Sequence, residues 1–122
     1  MAWNYFKDEE VKGLDNELVA KLDQARHLAQ IPFIITDGLR TAAGNTDRNA
    51  ANNSAHLTGK AVDLRCRDSR TLSKMLRAIY TVGFNRVGIY FTNIDGKQKP
   101  THIHVDVDQT KDIDVAWLTV EK

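Results

Sequence analysis

Three of the four histidines in this chain sit in short segments whose residue types suit metal chemistry. The first segment is Ser54-Ala55-His56-Leu57-Thr58-Gly59-Lys60-Ala61-Val62-Asp63, and the second is Thr101-His102-Ile103-His104-Val105-Asp106. His56 leaves a loop, Gly59 makes a tight turn, and Asp63 falls on the strand that follows. One imidazole and one carboxylate can therefore converge across that turn. His102 and His104 project from one face of a later strand, about 7 Å apart. Two imidazoles and one carboxylate make a usual three-residue zinc set, with the fourth position open to water. Zinc held this way lowers the pKa of its water to about 7 and polarises a carbonyl oxygen. Amide hydrolysis needs both effects.

The same residues carry plainer readings. Histidines alternating on a strand are often surface groups, or partners that orient a ligand rather than ligands themselves. A two-histidine, one-carboxylate set also serves iron oxygenases. Those usually place histidine and carboxylate two residues apart on a barrel of strands, whereas the gap from His56 to Asp63 is seven. His27, on the polar side of a helix, reads as solvated. Arg65 and Arg67 flank Cys66 and could favour its thiolate, yet a lone cysteine beside a strand reads as a small packed residue. Asp106 reads as a group that orients His104 or His102 through a ring N–H. Asp108 reads as an exposed strand end, and Tyr90 and Trp117 as core.

The elements that must position these groups follow from periodicity. Leu14, Leu18, Leu22, Ala25 and Ala29 form one apolar helical face, with Asp15 or Asn16 as its cap and Pro32 as its stop. Phe33, Ile34 and Ile35 predict a short buried strand, and Asp37-Gly38 a turn. Thr41 to Ala55 has no period and reads as a loop of functional length. Ala61 to Arg65 predicts a strand with Val62 and Leu64 on one face. A second helix follows, with Leu72, Met75, Leu76 and Ile79 inward and Gly83 at its end. Val87, Ile89 and Phe91 alternate as a strand, Asp95-Gly96 turns the chain, and Pro100 ends the connection. Thr101 to Asp108 alternates without a break, placing His102, His104, Asp106 and Asp108 on one face. The apolar tail from Ile113 to Val120 returns to the body of the fold, with Trp117 packed. The fold class is α+β: N-terminal helices packed on a small, mostly antiparallel sheet.

The bulk numbers fit one domain spanning residues 1–122. With 42% hydrophobic and 27% charged residues, the composition is that of a soluble globular fold rather than a disordered chain. A net charge of +1 with scattered basic residues carries no footprint for nucleic acid. No apolar run is long enough for a membrane span. The N-terminus lacks the basic start and apolar stretch of a signal peptide, so the expectation is synthesis in the cytoplasm with release by another route. A single cysteine excludes an internal disulfide framework. The expected state is a monomer.

The pattern Ser-x-His-x-x-Gly-x-Ala-x-Asp at Ser54 to Asp63, followed by His-x-His at His102 to His104, resembles the zinc D-Ala-D-Ala carboxypeptidase family. That family includes vancomycin-resistance dipeptidases and phage endolysins that cut L-Ala-D-Glu, and hedgehog signalling domains share its fold. The likeness runs from about Leu14 to Asp108 and takes in Ile34-Ile35-Thr36-Asp37-Gly38-Leu39-Arg40-Thr41. It implies one zinc ion on His56, Asp63 and His104. It further implies that Arg40 binds the substrate carbonyl or carboxylate and that Ser54 orients the ligand loop or touches substrate. Many members carry Glu or Asp three residues before the last histidine ligand, as general base; here Thr101 stands there. His102 fits the His-x-His branch as acid–base or oxyanion donor, a role that the ordinary titration range of histidine suits. Asp95, Asp106 and Asp108 are reserve candidates for the base. The implied activity is hydrolysis of a peptidoglycan stem peptide by a phage-type endolysin that a holin releases. The alternatives are a D-Ala-D-Ala carboxypeptidase and a non-catalytic zinc domain that binds a partner or builds a particle.

Overall fold

The computed structural model describes residues 3–38 and 55–121. Arg40, Ser54 and most of the predicted loop lie outside the described residues.

Helix α1 spans Asn16–Ala29. The Asp15 side chain caps it by accepting from the backbone N–H groups of Glu17 and Leu18, which satisfies donors that the first turn leaves unpaired. Leu18, Val19, Leu22 and Ala25 face the core. Gln30, in the left-handed conformation at φ 59°, closes the helix before Pro32 is reached. Helix α2 spans Ser69–Thr81 and is capped by Asp68, whose carboxylate accepts from the Thr71 N–H at 2.7 Å. It buries Met75, Ala78 and Ile79. Gly83 follows at φ +95°, where a side chain would be strained even though nothing crowds it.

The strands are β1 (Ile35–Asp37), β2 (Ala61–Arg65), β3 (Arg86–Ile94), β4 (Lys97–Asp106) and β5 (Val115–Glu121). Their order in the sheet is β1-β2-β4-β3-β5. All neighbours are antiparallel except β3 and β5, which run parallel. Asp95 and Gly96 both take positive φ, 52° and 78°, as a two-residue hairpin turn between twisted strands requires. One sheet face carries Val62, Leu64, Val87, Ile103 and Val105, all fully buried in a cluster with Leu18, Leu22, Met75 and Ile79 of the helices. Each such side chain contributes about 1.5–3 kcal/mol relative to an exposed one. The alternation that buries this face turns Asp63, His102 and His104 to the other. Among the described residues, no helix is long and apolar enough to cross a membrane.

The α+β architecture agrees with the sequence reading, and four local expectations change. Ile34 is exposed and the first strand begins at Ile35; only Phe33 of the predicted trio is deeply buried. Pro100 lies inside β4 rather than ending the connection, because the strand starts at Lys97 and the ladder is irregular there. Asp108 is buried beyond the end of β4, where its carboxylate accepts from the backbone N–H and hydroxyl of Thr110. The tail forms an edge strand from Val115, so Leu118 stays 71% exposed and Val120 is exposed too, as is Ile113 ahead of the strand.

Candidate metal centre

His56 sits in a single 3-10 turn, Ala55–Thr58, and Gly59 then swings the chain into β2 at φ +72°. A Cβ at Gly59 would lie 2.3 Å from the Gly13 carbonyl oxygen, so this close passage admits only glycine. The Gly59 carbonyl in turn accepts from the Asp15 N–H at 2.8 Å, tying the turn to the start of α1. In the β2–β4 ladder Asp63 lies directly opposite His104. Facing residues of an antiparallel pair share a side of the sheet. Two strands and a turn thus deliver three side chains to one point.

Ligand-type atoms of His56, Asp63 and His104 all lie within 4.8 Å of one another. His104 Nδ1 is 3.1 Å from Asp63 Oδ1, and His56 Nε2 is 3.4 Å from the same oxygen. The far side of each ring is also held. His56 Nδ1–H donates to the Gly38 carbonyl at 2.9 Å, which turns Nε2 toward Asp63. His104 Nε2–H donates to Asp106 Oδ2 at 2.8 Å, which turns Nδ1 toward Asp63. Asp106 is 1% exposed and keeps its own partner, Arg86 Nε at 2.7 Å. Arg86 Nη1 donates onward to the Asp112 carbonyl.

The electrostatics follow from these contacts. Burial works to raise the Asp63 pKa, but hydrogen bonds from His104 and His56 outweigh it and hold the carboxyl well below the usual carboxylate range. Burial works against a charged His104, yet the hydrogen bonds with Asp106 and Asp63 outweigh it and raise its pKa. Burial of Asp106 is likewise overcome, mainly by His104, and its pKa is lowered. Deprotonated at Nδ1, the His104 ring offers a lone pair toward Asp63 while Nε2–H stays with Asp106. The donor set is then two neutral imidazoles and one carboxylate, each imidazole fixed by a hydrogen bond on its other nitrogen. These residues fit a zinc ion.

Beside this centre, His102 Nε2 lies 3.9 Å from Asp63 Oδ2. The His102 ring stacks on Tyr90 at 4.2 Å between centroids, and the Tyr90 hydroxyl accepts from Trp117 Nε1–H at 3.3 Å. Trp117 also tilts against His104 at 5.5 Å.

A family model of peptidase M15 matches residues 5–106. The chain belongs to the peptidase M15 family. Comparison with curated protein sequences finds no match. Among solved structures, the crystal structure of Serratia marcescens L-Ala D-Glu endopeptidase ChiX has a similar fold, with a TM-score of 0.57 and 20% sequence identity over 80% of this chain and 84% of that one.

In this peptidase, the structure brings together His56, Asp63 and His104 and sets His102 beside them. Arg40 and Ser54, the other sequence-derived site residues, lie outside the described residues. Asp95 belongs to the distal hairpin turn. Asp106 touches His104 and not His102, as a ring-orienting partner. Cys66 is packed and its thiol is pushed up to about 11, chiefly by burial, which leaves it unreactive at neutral pH.

Three groups escaped sequence reasoning. Tyr90 and Trp117, expected in the core, line the site instead. Gly88, paired with both His104 and Trp117, makes this possible. A Cβ there would fall 2.4 Å from the Trp117 indole nitrogen, so only glycine lets the ring lie across β3. Glu121 reaches His102 and Thr101 from β5. The period-two spacing of Trp117, Thr119 and Glu121 was the available signal, but nothing in the sequence says which strand β5 joins.

Proposed function

We propose that this peptidase hydrolyses the L-Ala-D-Glu bond of the peptidoglycan stem peptide, as a phage-type endolysin, with one zinc ion on His56, Asp63 and His104. The observation that carries the reading is the convergence of those three side chains within 4.8 Å, with His102 alongside. Family membership supports peptide-bond hydrolysis. The activity named for ChiX supports the choice of bond. Monomeric action after release from the cytoplasm belongs to the same reading.

A zinc ion bound there supplies Lewis acidity, polarising the scissile carbonyl and acidifying water. The protein's own groups supply the rest. Gly38 and Asp106 fix the two imidazoles, and Arg86 fixes Asp106. His102 takes the proton from the attacking water and delivers it to the leaving amine. Tyr90 and Trp117 wall the approach. Arg40 steadies the charge that develops on the carbonyl oxygen, and Ser54 contacts the peptide.

The test is digestion of purified sacculi by the zinc-loaded protein, with turbidity of outer-membrane-stripped Gram-negative cells followed in parallel. New D-Glu amino ends, and lysis that stops with chelator and returns with zinc, are the expected results. Release of free D-Ala without lysis would replace this reading with a carboxypeptidase. Inertness of protein shown to hold one zinc would replace it with a non-catalytic zinc domain.

A further inference from the structure

We propose that Glu121 is a positioning residue for His102, acting through the hydroxyl of Thr101. The inference rests on the peptidase reading for the role of His102, and it adds a group from a strand outside the residues that match the family.

The β3–β4 ladder breaks at one place. Tyr90 pairs with His102, and Phe91 pairs with Pro100, so Thr101 is left as the extra residue. Such a bulge re-aims side chains. Here it lets neighbouring residues serve one cluster, although side chains on a regular strand alternate. Thr101 Oγ1 lies 3.3 Å from Nδ1 of His102, 3.2 Å from the Tyr90 carbonyl, and much closer to Oε1 of Glu121.

The hydroxyl has one hydrogen and three acceptors in reach: the Glu121 carboxylate, the Tyr90 carbonyl and, in one tautomer, His102 Nδ1. The carboxylate is charged and nearer, so it takes that hydrogen. The lone pairs of Oγ1 are then available to His102 Nδ1–H. The direct separation of His102 Nδ1 and Glu121 Oε1, 3.6 Å, is too long for a hydrogen bond, so the contact runs through Thr101. With Nδ1 carrying the hydrogen, the Nε2 lone pair faces the metal centre, the orientation that proton abstraction from water requires. Thr101 has no acid of its own, and its hydroxyl borrows one from β5.

The placement of Glu121 is built into the sheet. It pairs with Thr92 at the end of the parallel β3–β5 ladder, and its carbonyl accepts from the Thr92 hydroxyl at 3.1 Å. Its side chain shares a strand face with Trp117, so one strand supplies both a wall of the site and the carboxylate behind His102. At 41% exposure the carboxylate bears little of the fold's stability, so its removal tests function rather than folding.

The experiment uses zinc-loaded protein with Glu121→Ala, Glu121→Gln and Thr101→Val, each also in a His102→Ala background. Loss of such an orienting partner costs on the order of tenfold or more. We expect kcat to fall by about that factor in Glu121→Ala, with KM and zinc content unchanged. Glu121→Gln, which keeps an acceptor for Thr101, should be intermediate. Thr101→Val should match Glu121→Ala and not add to it. Neither should lower activity further once His102 is absent. Independently of turnover, imidazole nitrogen NMR should show His102 protonated at Nδ1 in the wild type, with Nε2-protonated ring appearing in Glu121→Ala. Full kcat with an unchanged ring pattern would overturn the proposal. So would an undiminished effect in the His102→Ala background, or zinc lost along with kcat. If the wild type proves inert on every wall substrate, the peptidase reading fails, and the NMR result alone decides whether Glu121 sets the His102 ring.

Discussion

Two halves of one site are built in different ways. The metal half comes from β2, β4 and the turn before β2, and every group in it lies within the residues that match peptidase M15. The half around His102 depends on β5: Trp117 and Glu121 arrive from a strand that lies wholly beyond that match. In the first half, short-range spacing and one antiparallel register place the ligands. In the second, a bulge, a glycine and a parallel edge pairing place the groups that surround them. The difference teaches that two ligands close in sequence and one antiparallel register suffice for the metal set, whereas the groups around it need a bulge, a glycine and a pairing at the sheet edge.

The largest effect should break the metal half outright. His56→Ala and His104→Ala should each lose bound zinc and reduce wall hydrolysis to background, as read by metal analysis and sacculus digestion. Arg40→Ala should keep its zinc and lose activity. Full activity in His104→Ala would remove the metal half from the mechanism altogether.

A smaller effect should appear one contact further out. Asp106→Asn keeps the shape of the side chain but removes the charge between His104 Nε2–H and Arg86. Zinc affinity, measured by competition with a chelator, should fall about 10–100-fold. Unaltered affinity would mean that the β2–β4 register alone orients His104.

How much of this was legible in the sequence differs between the halves for the same reason. The strand Ala61 to Arg65, the capped helix at Asp15, the Asp95-Gly96 turn and the pair His56 and Asp63 are written locally, in periods, caps and a ten-residue motif. His104, 41 residues beyond Asp63, is named by the family resemblance and is brought in by the β2–β4 register. The role of Asp106 was legible too, because residues two apart on a strand share a face. In the sequence Trp117 reads as core, because an apolar residue in an apolar tail ordinarily is. Its position over Gly88 depends on β5 pairing with β3, a contact about thirty residues away that no local pattern encodes. In the sequence Pro100 reads as a boundary, because proline lacks a ladder donor. The irregular register beside Thr101 is what admits it within β4.

A modest effect should separate the second half from the first. In Gly88→Ala the new methyl would overlap the Trp117 indole, and overpacking of this kind costs about 1–3 kcal/mol. Tryptophan fluorescence should change and thermal stability fall, while zinc affinity holds, because the atoms nearest the new methyl all belong to Trp117 and none to a ligand. In a Trp117→Ala background the same glycine substitution should cost little. If Gly88→Ala instead removed zinc, the two halves would be one cooperative unit and the distinction between them would fail.

The smallest effect asks whether the halves differ in their chemistry or only in the stability of the scaffold beneath them. Asp68 caps α2, away from both halves. Hydrogen bonds from the Thr71 backbone N–H and hydroxyl hold its pKa below the usual carboxylate value. A carboxyl whose pKa is lower folded than unfolded stabilises the fold above its unfolded pKa. That contribution is lost as pH falls through the folded pKa, because the protonated cap is a poorer acceptor. The wild type should therefore lose part of its stability in the acid range below the ordinary carboxylate value, and Asp68→Asn should lose less there while matching the wild type in zinc affinity at neutral pH. Equilibrium unfolding at a series of acid pH values, without zinc, checks this. Identical acid profiles would show that the cap contributes nothing. A changed zinc affinity at neutral pH would show that α2 sets the metal half directly, and the effects predicted for Asp106 and Gly88 would then need measuring against a scaffold of matched stability.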